Sequence, residues 1–164
     1  MGKHKFYISD WRIQLKHENE IIYDVVTRNA LVDQGEKLIL DVFFRSNNVP
    51  VDFFIGLAYG PMSEASTLDN VPNEPVGNGY DRVALSRDTV GFPTMEMDSG
   101  DWVVITKSMT ITADGGSIGP VNQAFMGANL ASDMKYLISY VSLPTETVLS
   151  DGDDLTFSLK IKAM

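Results

Sequence analysis

The sequence predicts a mainly β protein: a single antiparallel β-sandwich or barrel, jelly-roll-like, with one α-helix near 33–45. Three observations carry this. Several segments alternate apolar and polar residues with a period of two, most cleanly Leu155, Phe157, Leu159 and Ile161 near the end. Gly, Pro, Asp and Asn punctuate the chain between those segments. One segment alone, after Asp33, changes to the helical period. At 164 residues the chain suits one core. The expected division is an N-terminal β-hairpin and basic arm over 1–30, then a sandwich domain with one helix over 31–164.

The elements follow in chain order. Over 6–15, Trp11, Ile13 and Leu15 share one face, with Arg12, Gln14 and Lys16 on the other, which is a half-buried strand. The polar run 16–20 reads as a turn, and β-branched Ile21 to Val26 as the returning strand of a hairpin. Asp33-Gln34-Gly35-Glu36 fits a capping box with Asp33 at the N-cap. Leu38, Ile39, Val42 and Phe43 then form one helical face, and Ser-Asn-Asn-Val-Pro at 46–50 ends the helix. Phe53 to Tyr59 reads as a strand. Residues 60–79 hold three of the seven prolines, with a short helical turn expected near 64–70, capped by Ser63. Further strands are expected from Tyr80 to Leu85, over one long run from Trp102 to Thr112, at Val121–Met126, at Tyr136–Val141 and at Leu155–Lys162. Phe43, Phe53, Phe125 and Phe157 lie in apolar patterns that suit a core.

Charge is unevenly placed. Residues 1–60 carry seven Lys/Arg and eight Asp/Glu, a balance of −1; residues 61–164 carry six and fourteen, a balance of −8, giving the net −9. An acidic body is repelled by nucleic-acid phosphates and by anionic membrane surfaces, so neither is an expected partner. Lys3, Lys5, Arg12 and Lys16 make the first residues mildly basic, which suits docking on an acidic neighbour or plain solvation. Cysteine is absent, which removes disulfides, thiolate zinc sites and cysteine nucleophiles. No run approaches the roughly 18 apolar residues of a membrane span, and the first residues hold no signal-peptide core. The expectation is a protein folded in a cytoplasm.

Gly77-Asn-Gly-Tyr-Asp-Arg lacks the lysine of a P-loop and the third glycine of a dinucleotide fingerprint, and a strand follows it. Its glycines suit positive φ, and Tyr80 and Arg82 share a strand face, where Arg82 could stack on Tyr80 or pair with a carboxylate. His4 and His17 lie in polar surroundings with no nucleophile in a catalytic setting. Asp151, Asp153 and Asp154 could offer oxygens to Ca²⁺ or form a tight turn, and Asp98-Ser-Gly-Asp101 is read the same way. No cofactor is expected. Tyr59, Tyr80, Trp102 and Tyr140 are the aromatics open to a sugar-binding role.

Several stretches in order resemble small structural proteins of tailed bacteriophages. They are Leu31 to Phe44, Phe54-Ile-Gly-Leu-Ala, Gly77-Asn-Gly-Tyr-Asp-Arg-Val, Gly91-Phe-Pro, Leu137 to Leu143 and Leu149-Ser-Asp-Gly-Asp-Asp-Leu. In those proteins a Gly-Glu-x-x-Leu-Leu-Asp helix precedes a Tyr-Leu-Gly-Leu strand. A Gly-Tyr-x-Arg strand follows, and a Gly-Asp-x-Leu turn leads into the last strand. The resemblance covers about 31–164. It implies a non-enzymatic virion component assembled in the host cytoplasm: a capsid decoration (cement) protein, self-associating as a homo-oligomer, a trimer, on the major capsid protein. The alternative it leaves open is a tail or fibre component, with tail proteins as partners and a carbohydrate or receptor-binding role. Lys3, Lys5, Arg12, Lys16, Tyr80 and Arg82 are the candidate partner-binding residues. A hydrolase is the third class, and no acid–base constellation supports it.

Overall fold

A computed structural model describes residues 6–28 and 30–163. It is 55% strand and 11% helix, arranged as two antiparallel sheets and a single helix, a β-sandwich. One sheet runs β2 (Glu20–Thr27), β1 (Phe6–His17), β11 (Asp154–Ala163), β7 (Asp101–Ile105), β6 (Thr94–Asp98), with β8 (Met109–Thr112) also paired to β11. The other runs β3 (Ala30–Leu31), β10 (Lys135–Leu149), β9 (Ile118–Leu130), β4 (Pro50–Ala58), β5 (Val83–Ser86). The expected alternations set the core. Trp11, Ile13 and Leu15 on β1 face the same interior as Leu155, Phe157 and Leu159 on β11. Trp11 and Phe157 meet edge to face, 6.0 Å between ring centres, the arrangement their quadrupoles favour.

The segment expected as an arm lies inside this architecture: β1 sits between β2 and β11, and its inward residues belong to the central core. Lys3, Lys5 and His4 fall outside the described residues.

α1 (Asp33–Arg45) has the expected bounds, with a different start. Val32 is the N-cap and makes no side-chain cap bond, so Asp33 and Glu36 do not form the expected capping box. Gln34 ties the start of the helix to the fold instead: its Oε1 accepts the Leu137 N–H at 2.6 Å and the Leu68 N–H at 3.4 Å. A Cβ at position 35 would collide with the Ile138 carbonyl, so glycine lets the helix lie directly on β10. The inward face is Gly35, Leu38 and Asp41, with Val42 partly buried. Phe43, expected in the core, is 69% exposed, and Leu40 and Phe44 are exposed beside it. The 46–50 stop is as read: Ser46 adopts a left-handed φ of 50°, and its N–H closes on the Asp41 carbonyl.

Two other expectations are corrected. The long strand 102–112 is two strands, because Thr106 leaves the ladder. Its N–H donates to the Leu159 carbonyl, its hydroxyl accepts the Leu159 N–H at 2.9 Å, and the Lys107 N–H turns away to Gly91. β7 and β8 therefore lie end to end along β11. The helical turn near 64–70 is a 3-10 turn at Leu68–Asn70, capped by Thr67 and Asn70 rather than Ser63.

Candidate functional site

The loop from Tyr59 to Arg82 covers the outer face of β4, β9 and β10. There Val32, Phe54, Ala58, Phe125 and Leu137 form a second small core, with Met62, Leu68 and Val71 of the loop packed on it. Its centre is built by paired glycines. Gly127 stands opposite Phe54 and Gly56 opposite Phe125; a Cβ at either glycine would strike the facing ring. The two rings meet edge to face, and the Arg82 guanidinium lies over both, at 4.8 Å and 5.5 Å from their centres.

Glu74 binds both candidate residues of this loop. Arg82 donates from Nε to Glu74 Oε1 and from a terminal nitrogen to Oε2, both at 2.7 Å, and the Tyr80 hydroxyl donates to Oε1 at 2.8 Å. The same hydroxyl accepts the Leu57 N–H at 2.9 Å. β5 stops pairing with β4 at Val83 opposite Ile55, so Leu57 is the next donor along β4 without a strand partner, and the phenol takes that place. Burial pushes the Tyr80 phenol well above its ordinary value. The Glu74 hydrogen bond raises the Arg82 guanidinium, so the cation persists throughout the accessible pH range. The glycines behave as read: Gly77 and Gly79 have φ of 80° and 77°, and Asn78 between them has 54°. Arg82 pairs with a carboxylate, as one reading of it allowed, and its aromatic partners are Phe54 and Phe125 rather than Tyr80.

At the opposite end of the chain, Arg12 and Lys16 stand on β1. Arg12 makes a bidentate pair with Asp24 on β2, at 2.9 Å and 2.6 Å. They are not brought together with Tyr80 and Arg82, which serve the other sheet. His17 has its Nδ1 2.5 Å from Oδ1 of Asp153, a carboxylate only 4% exposed. Asp153 also accepts the Ser150 N–H, fixing the turn before β11. Contact with that carboxylate raises the His17 imidazole above its ordinary value, with Glu18 and Glu20 adding smaller effects. Nothing local in the sequence signals this pair, since its members are 136 positions apart.

The acidic runs resolve into turns. Asp151 accepts the Gly115 N–H, Asp154 accepts the Thr112 hydroxyl, and Asp153 faces His17, so the three carboxylates point to three different partners. Ser99 and Gly100, with φ of 54° and 93°, make the hairpin turn between β6 and β7. Asp98 and Asp101 flanking it pair with Lys160 and Lys162. No three or more His, Asp or Glu side chains converge as a metal site among the described residues. Of the four open aromatics, Tyr80 is buried, Tyr140 packs on the second core, Tyr59 donates to Glu146, and Trp102 is 60% exposed. No helix among the described residues is long and apolar enough to cross a membrane. No family model, curated protein or solved structure matches the chain.

Proposed function

We propose that the chain is a non-enzymatic structural protein of a tailed-bacteriophage virion, a capsid decoration protein that binds the shell as an oligomer. One observation carries the reading beyond the ordered motifs. The polar groups with chemical potential close on other parts of the same chain: Glu74 on Tyr80 and Arg82, Asp153 on His17, Asp98 and Asp101 on lysines of β11. Large apolar side chains meanwhile remain exposed on β2, α1, β6 and β7, Val26, Phe44, Met95 and Trp102 among them. Such a surface suits assembly by contact. The resembling motifs occupy positions that build the fold, as at Gly35 on β10 and at the turn before β11.

Immunogold labelling of purified virions of the phage that encodes the chain tests this. Gold spread evenly over the heads is the expected result. Gold at tails or fibres shifts the protein to the tail, where Trp102 becomes the first residue to mutate for receptor binding. Particles without gold refute the virion reading.

A further inference from the structure

The two sheets have five end strands: β2, β6, β8, β3 and β5, of eight, five, four, two and four residues. Four are short, as protected edges usually are. β2 is the exception. Among the described residues its only strand partner is β1, and its register with β1 is regular from Tyr23 to Thr27, with a bulge at Ile22. It is also apolar on both faces. Tyr23 and Val25 pack on the core, while Ile22 and Val26 on the outer face are 55% and 65% exposed. No lysine or proline interrupts the strand.

We propose that this edge pairs with β2 of a second copy of the chain, antiparallel about a two-fold axis through Asp24, joining two sandwiches through one continuous sheet. Parity and the exposed apolar residues select this register. In a continuous sheet, outward residues must face outward residues, so the two-fold must pass through a residue rather than between two. Centring on Asp24 places Ile22 opposite Val26 in both halves, burying the exposed apolar pairs against each other. The two central Asp24 carboxylates are each neutralised by their own Arg12, at 2.6 Å. The pairing does not rest on the virion reading: a dimer could exist with no gold on any particle, and a decoration protein could lack it.

The test uses the full chain and its lack of cysteine. Sedimentation equilibrium is expected to give a dimer that dissociates on dilution, and Val26→Lys is expected to give a monomer whose thermal melt matches that of the native chain diluted to monomer. Under mild oxidation Asp24→Cys should cross-link to a covalent dimer, since directly opposed Cβ atoms fall about 4.5–5.5 Å apart, near disulfide reach. Val26→Cys, opposed to Ile22, should cross-link far more slowly. A monomer across the dilution series overturns the proposal. So does an oligomer indifferent to Val26→Lys, or cross-linking through Val26→Cys as fast as through Asp24→Cys.

Discussion

Replacing Glu74 by alanine isolates what the covering loop contributes to stability. Glu74 accepts two hydrogen bonds from Arg82 and one from Tyr80, all at 2.7–2.8 Å, with the Glu74 and Arg82 side chains 24% and 28% exposed. An enclosed bidentate pair whose partner is removed can cost several kcal/mol, and an exposed pair well under one. At a quarter exposure water reaches the guanidinium, and the rings of Phe54 and Phe125 still attract it. The loss is therefore expected near the middle, about 2 kcal/mol. For a chain of this length that lowers Tm by roughly 4–8 °C. Urea unfolding followed by far-UV circular dichroism measures it, with Arg82→Ala and the double variant completing a cycle. The expected coupling between the two residues is about 1.5 kcal/mol. A coupling below about 0.5 kcal/mol would refute the reasoning, because it would mean that the loop is held by Met62, Leu68 and Val71 alone. Asp24→Ala breaks the more exposed pair with Arg12 and should cost less than Glu74→Ala.

Three further outcomes are expected. Tyr80→Phe leaves the buried Leu57 N–H without its acceptor and should cost about 1–3 kcal/mol by urea midpoint, although only one oxygen is lost. Gly35→Ala drives a methyl into the Ile138 carbonyl and should destabilise by about 1–3 kcal/mol, against a gain for the same change in an unconstrained helix. The His17–Asp153 contact raises the imidazole above its ordinary 6.5, so its stabilisation is complete below pH 6.5 and is lost as pH rises through the raised folded value. Urea midpoints should fall across that window in the native chain and stay flatter in His17→Gln.

The sequence reveals what local periodicity can carry. Leu155, Phe157 and Leu159 are buried because a period of two puts them on one face, and that needs no knowledge of the partner strand. The helix bounds were legible for the same reason. The capping reading failed because a tertiary contact was available: Gln34 found the Leu137 N–H, and the helix start was set by docking on β10. Phe43 failed because the helix buries a narrow face, whose closest approach is set by Gly35, a residue that carries no hydrophobic signal. The break at Thr106 was hidden because Thr suits an alternating strand, and only the opposing Leu159 shows that its hydroxyl has replaced a backbone group. Of the loop site, the turn chemistry of Gly77 to Gly79 was readable and a carboxylate for Arg82 was foreseeable. That Glu74 would also seat Tyr80 depends on where β5 stops, which no window of residues records.

The edge strand shows the same boundary from the other side. Ile21 to Val26 is apolar on both faces, a pattern that belongs to strands covered on both sides. Period and composition say that such a strand is to be covered; they do not say by what. The fold covers one face, placing Tyr23 and Val25 on the core, and leaves Ile22 and Val26 open at an edge. A core strand with one face left open is a poor solution for an isolated chain and a good one for a pair. Apolar side chains that stand exposed at the edge in the monomer gain cross-strand apolar neighbours when the sheet continues into a second copy. The excess of apolar residues in β2 over what one sandwich can bury is thus a property of the sequence that the single chain leaves unexplained and the two-fold pairing accounts for.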